Sequence, residues 1–187
     1  MLMFYLSMIE TEEERGIFVE LYNKYRQPLF RYADHYLHDE QDSEDVVHDV
    51  FCLVAKDYMK NLLKKGDDGR RRFLFLCTRN RAINIGKHKS KLLPIDEMAE
   101  RGIGASGDPA QAPIDDIISD RDLLEKAKAA VNTLDRRYSD VLWLHLDGYS
   151  VKDIAKIFNE KPETVKKRLY RSKLLLREAV GMKGGAV

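Results

Sequence analysis

Apolar residues recur three and four positions apart along most of the chain, and no stretch alternates apolar with polar as a half-buried strand would. The pattern predicts an all-α protein. Phe18, Leu21, Tyr22, Tyr25, Leu29, Phe30 and Tyr32 mark a first amphipathic helix, interrupted near Pro28 because proline breaks or kinks a helix. Asp42 or Ser43 is the expected cap of the next helix, where Val46, Val47, Val50, Phe51 and Val54 form one apolar stripe. A turn spanning Lys64–Gly69 follows, then a helix from about Arg71 to His88 with Leu74, Leu76, Cys77, Ala82 and Ile85 toward the core. Pro94, Gly102, Gly104, Gly107, Pro109 and Pro113 break any regular pattern, so 93–116 reads as a linker. Beyond it, Ile117–Val131 predicts one helix and Thr133–His145 another, the second capped by Thr133 and stopped by Gly148.

The stretch Tyr149–Arg177 carries the sharpest local signal. Ser150 is placed to cap a short helix with Ile154, Ala155 and Phe158 on its apolar side. Asn159 stands where the turn needs a left-handed backbone, and Pro162 suits the first position of a second helix. Val165 and Leu169 would pack back on the small Ala155, which leaves Lys166, Lys167, Tyr170 and Arg171 on a solvent face shaped for a DNA major groove. A helical hairpin with a merely solvated basic face is the blander alternative.

Net charge alone would hide this, since 32 basic residues nearly balance 31 acidic ones. Divided along the chain, the charge segregates. Residues 1–68 hold 15 acidic and 8 basic groups, 69–95 none and 8, 96–148 12 and 6, and 149–187 4 and 10. Two basic blocks suit phosphate at two places, and the acidic blocks suit a cationic partner.

In the first basic block, Arg70, Arg71, Arg72, Arg79, Arg81, Lys87, Lys89 and Lys91 alternate with Phe73, Phe75, Asn80 and Asn84. Cations neutralise phosphates, while aromatic faces and amides stack on and bond to unpaired bases, so the segment suits melted DNA. Phe73 and Phe75, each taken alone, read better as core residues than as base-stacking ones. Asp39, Glu40, Asp42, Glu44, Asp45 and Asp49 exceed what a helix N-terminus needs for its dipole, which points to a basic protein partner. His48 and Cys52 lie four apart without a second ligand pair, so no metal and no other cofactor is expected. Trp143 reads as core, and Cys52 and Cys77 as buried thiols. No catalytic motif is visible and no enzyme is expected. Met1–Ile9 is apolar but lacks a basic start and a small-residue cleavage site. No apolar run approaches the length of a membrane span, and two cysteines in a chain this size fit a reducing cytoplasm, which is the expected location.

Together these blocks resemble an extracytoplasmic-function sigma factor of the sigma-70 family, over about residues 15–92 and 117–179. Asp42–Phe51 resembles region 2.2, Phe73–Asn84 resembles regions 2.3 and 2.4, and Tyr149–Arg171 resembles region 4.2. The resemblance implies a sigma region 2 over 1–92, a linker over 93–116 and a sigma region 4 over 117–187. It implies RNA polymerase core as partner, with Asp42, Glu44, Asp45 and Asp49 docking on the β′ clamp helices and further contact to the β subunit. It implies duplex and melted promoter DNA as ligands. Glu163, Thr164, Lys166, Lys167, Arg168, Tyr170 and Arg171 would meet the minus-thirty-five element. Arg70, Arg71, Arg72, Phe73, Arg79, Asn80 and Asn84 would meet the minus-ten element, with the Gly66–Arg72 turn walling a pocket for a flipped base. An anti-sigma protein is implied too. Phe73 stands where the family often has Trp, and Lys161 where it has a Ser or Thr cap. The rival readings are a free-standing helix-turn-helix regulator, which would be a symmetric dimer, and a sigma mimic that sequesters an anti-sigma factor.

Overall fold

The computed structural model describes residues 1–92, 130–131 and 133–179; the expected linker at 93–116 and nearly all of the expected helix at 117–131 lie outside them. Every regular element among the described residues is helical. They fall into two compact units, the first essentially Met1–Pro94.

The first unit packs α1 (Leu2–Leu6), α2 (Glu12–Leu37), α3 (Glu40–Leu53), α4 (Met59–Leu63) and α5 (Asp67–Leu92). α2 begins in a reciprocal capping box: Glu14 N–H donates to Thr11 Oγ1 at 3.2 Å, and Thr11 N–H donates to Glu14 Oε2 at 3.4 Å. Contrary to expectation it runs unbroken through Pro28. Buried residues on both sides of the proline, Leu21 and Tyr25 before it and Leu29, Tyr32 and Ala33 after it, hold the helix together. That tertiary packing outweighs the lost backbone bond. His38 then adopts a left-handed φ of 50°, and Asp39 immediately caps α3 by accepting from Asp42 N–H at 3.0 Å. The cap is therefore Asp39, three or four residues earlier than expected, and Ser43 is buried with its hydroxyl donating to Asp39 O at 2.7 Å.

The expected stripe of α3 is the core. Val46, Val50, Phe51 and Val54 are fully buried and Val47 nearly so, each contributing roughly 1.5–3 kcal/mol relative to exposure. Phe51 joins Phe18 (ring centroids 5.7 Å) and Tyr22 (5.0 Å), while Tyr32 meets Phe75 edge-on at 5.4 Å. Between α3 and α4 the chain makes a π-helical turn, Val54–Tyr58, which shifts the register so that Met59 and Leu62 return to the core and Tyr58 faces outward.

α5 starts at Asp67, so the expected Lys64–Gly69 turn is only Lys64–Gly66 and the residues Asp67–Arg72 are helical. Asp67 is pinned to α2 by Lys24 Nζ at 3.0 Å. Two carboxylates in its first turn suit the helix dipole. Gly69 has a packing role, since a Cβ there would sit 3.1 Å from that of Lys65.

α6 (Arg136–Leu146), α7 (Val151–Phe158) and α8 (Pro162–Ala179) follow, and apart from Lys156–Phe158 at the end of α7 they belong to the second unit. Asp135 caps α6 by accepting from Arg137 N–H at 3.0 Å, and that backbone bond holds its carboxyl below the usual range. Thr133 instead donates to Ala130 O at 2.8 Å, so it closes the preceding turn rather than capping α6. Gly148 ends α6 with a φ of +90°, and Tyr149 N–H reaches back to Leu144 O at 2.9 Å. Val141, Leu142 and Leu144 are buried, whereas Trp143 is half-buried and Leu146 exposed, which corrects the core assignment of Trp143.

Candidate nucleic-acid interface

The second unit presents α8 through two well-made turns. Ser150 and Asp153 form a capping box at the start of α7, with Asp153 N–H donating to Ser150 Oγ at 3.2 Å and Ser150 N–H to Asp153 Oδ2 at 3.3 Å. Asn159 adopts the expected left-handed backbone, φ 56°, and Glu160 N–H closes on Ala155 O at 2.9 Å. α8 then begins at Pro162, with Lys161 supplying only its carbonyl to Thr164 and Val165 N–H. On α7, Ile154, Ala155 and Ile157 are buried and Phe158 is half-buried, so Ile157 takes the place expected of Phe158.

Val165, Leu169 and Ser172 form the buried edge of α8, and Ser172 Oγ donates across to Tyr138 O at 2.9 Å. Helical geometry puts Glu163, Lys166, Lys167 and Tyr170 on the opposite face, with Arg171 at its margin. Glu163, Lys166 and Lys167 are exposed, and Thr164, Tyr170 and Arg171 are half-buried. Arg168 is tied back to Glu160 at 3.0 Å, so it steadies the turn. Cationic groups on a rigid, outward helix can neutralise phosphates and reach base edges.

The middle helix is organised differently. Leu74, Phe75, Thr78 and Ala82 are buried, so Phe75 is core as its individual reading favoured and Thr78 is an addition, while Phe73, Leu76, Cys77 and Ile85 are only half-buried. On the opposite side Phe73, Cys77, Asn80 and Asn84 share a stripe, with both asparagines exposed. The arginines flank it unequally. Arg70 Nε donates to Leu62 O at 2.9 Å and its Nη2 to Leu63 O at 3.3 Å, closing the C-terminus of α4. Arg71 pairs with Asp68 at 2.6 Å, and Arg81 with Asp49 at 3.0 Å. Arg72 and Arg79 are half-buried on the other flank.

One residue escaped the sequence reading. Tyr58 packs its ring on Phe73, centroids 4.9 Å apart, and Lys65 Nζ lies 5.8 Å from the Phe73 centroid. The signal was an aromatic outside the apolar spacing of its own segment. Its outward direction depends on the π-helical turn, which no local pattern announces.

On α3, Glu44 and Asp45 are exposed, Asp42 is half-buried in the first turn, and Asp49 is half-buried and engaged with Arg81. Both cysteines are free, half-buried thiols whose pKa values are pushed up by burial. Cys52 Sγ lies 3.5 Å from His48 Nε2, and no group of three metal-ligating side chains occurs among the described residues. No helix among them is long and apolar enough to cross a membrane.

The family model for sigma-70, region 4 matches residues 124–176, a span that includes α6, α7 and most of α8. Two solved structures share the fold of this chain. One is the sigma factor RpoE in complex with the anti-sigma factor NepR from Bartonella quintana, with TM-score 0.58 and 20% identity over 89% of this chain and 98% of that one. The other is CnrH in complex with the cytosolic domain of CnrY, with TM-score 0.62 and 15% identity over 98% of each chain. No curated protein sequence matches this chain.

Proposed function

We propose that this chain is a sigma factor that binds RNA polymerase core and directs initiation at promoters with two separate elements. The observation that carries the reading is the region 4 match ending in a helix whose Lys166 and Lys167 stand exposed opposite a buried Val165–Leu169–Ser172 edge. In this reading α8 grips duplex DNA at the upstream element through Lys166, Lys167, Tyr170 and Arg171, with Glu163 and Thr164 beside them. The stripe of α5 captures a melted strand: Phe73, backed by Tyr58, offers an aromatic face, Asn80 and Asn84 offer amides, and Arg72 and Arg79 supply charge. Arg70 and Arg71 serve this surface indirectly, by fixing the start of α5. Glu44 and Asp45 are the exposed carboxylates for polymerase docking, with Asp42 and Asp49 at their flanks. A partner of the anti-sigma class, as seen with RpoE, belongs to the same reading.

The test is transcription with purified chain and sigma-free bacterial core polymerase on a library of promoter fragments. Initiation confined to fragments sharing two spaced motifs is expected. Clean duplex binding by the chain alone with no initiation would replace this reading with a free-standing regulator.

A further inference from the structure

In an uninterrupted α-helix residue 58, four after the buried Val54, would point into the core. The wider π-helical turn Val54–Tyr58 gives that place to Met59, which is 4% exposed, and leaves the Tyr58 ring outside at 37%. Such turns recur at functional sites. The ring is not idle there. It lies on Phe73 of α5, centroids 4.9 Å apart and 37° between planes.

A cation joins the pair. Lys65, exposed just past α4, places Nζ 5.8 Å from the Phe73 ring centroid. Its stem crosses the first turn of α5 at Gly69, where a Cβ would sit 3.1 Å from Lys65 Cβ and 3.5 Å from its Cδ. The charge of Lys65 also reaches the Cys77 thiol, the next residue of the stripe after Phe73. Of the carboxylates at the start of α5, Asp67 is engaged by Lys24 and Asp68 by Arg71. Asp57 is exposed beside Tyr58 and Lys64 beside Lys65, so cations outnumber the remaining carboxylate around the two rings.

We infer that Tyr58 is a positioning residue for the capture of unpaired DNA: it holds the Phe73 ring in one orientation, while Lys65 takes a phosphate of the strand whose base stacks there. The inference rests on the function proposed above and assigns roles to two residues outside α5. A half-buried phenyl ring alone turns about two side-chain torsions. A second ring packed on it restricts them through an attractive offset contact, so less freedom is lost when a base arrives. An exposed ammonium over an aromatic face is weakly held, and Lys65 exchanges that contact readily for a phosphate oxygen. A single strand offers a base face and an anion within one nucleotide, whereas a duplex keeps its base faces covered.

The experiment reconstitutes holoenzyme from the full chain and sigma-free bacterial core polymerase. It measures affinity for the separated strands of a promoter recovered in the transcription test. Tyr58→Ala should weaken strand binding about tenfold and Tyr58→Phe should stay within about twofold of wild type, with core binding and thermal unfolding unchanged. Phe73→Ala should weaken it as well. In that background Tyr58→Ala should add less than about twofold, because the ring it acts through is gone. Lys65→Ala should lower the slope of log K against log salt by about 0.7. Wild-type affinity in Tyr58→Ala, or a further loss of about tenfold from it in the Phe73→Ala background, would overturn the positioning role while the function stands. An unchanged salt slope would overturn the role of Lys65. If wild-type chain forms no holoenzyme, or its holoenzyme takes up neither strand, the proposed function fails and takes the inference with it.

Discussion

α5 and α8 carry similar densities of basic residues, yet the structure uses them in opposite ways. Along α5, Arg70 closes the end of α4, Arg71 pairs with Asp68, and Arg81 pairs with Asp49 of α3. Along α8, Lys166 and Lys167 are exposed, and Arg168 is drawn inward, to Glu160. A count of arginines thus overstates what α5 offers to phosphate, and aromatic and amide groups stand beside the charge of Arg72 and Arg79. α8 offers charge on a rigid face. The difference suits two ligands, unpaired bases for α5 and duplex backbone for α8.

The largest expected effect separates the two helices directly. Lys166→Ala with Lys167→Ala should weaken duplex binding about a hundredfold at low salt and reduce the slope of log K against log salt by about 2. Thermal unfolding should not change. An unaltered slope in a salt titration would mean that the face does not meet phosphate.

Arg70→Ala is the converse case. It should cost about 2 kcal/mol of stability, because charged donors to backbone carbonyls are lost, while the salt slope stays as in wild type. Chemical denaturation read beside DNA binding distinguishes a scaffolding arginine from a phosphate contact. A lower slope with intact stability would return Arg70 to the DNA face.

Acid sharpens the same division, since it perturbs the first unit without touching the cations of α8. Burial pushes the pKa of His35 down from 6.5 to about 3. Unfolded chain takes up a proton near 6.5 while the fold resists until about 3, so every step below pH 6.5 favours unfolding. The loss should reach about 2 kcal/mol at pH 5, and His35→Leu should flatten that limb of the stability profile.

The smallest effect concerns the turn that aims α8. Asn159→Ala forces an alanine into a left-handed backbone and should cost about 1 kcal/mol, whereas Asn159→Gly should be neutral or slightly stabilising. Equal melting temperatures for the two variants would remove the turn from the account.

Much of this was legible in the sequence wherever local chemistry decides the outcome. The α3 stripe, the left-handed Asn159, Pro162 at the head of α8 and Gly148 after α6 all follow from backbone constraints acting within a few residues. The misreadings occur where distant packing decides. Pro28 does not interrupt α2 because buried residues on either side hold it. Gly69 sits inside α5 because Lys65 approaches closely and Asp67 is anchored to α2. The α3 cap moved from Asp42 or Ser43 to Asp39 because several candidate caps stand in a row and the left-handed His38 selects among them. For the interface, residue types were legible, but the employment of Arg70, Arg71 and Arg81 was not, since their partners lie on other turns and other helices.

The division between the two helices is tested most directly by photocrosslinking from single positions in holoenzyme bound at an active promoter. A probe at Lys166 should label upstream duplex DNA on either strand. A probe at Tyr58 should label unpaired bases near the start site, and only under conditions that permit melting. Labelling of the same duplex segment from both positions, or of melted DNA from neither, would contradict the account.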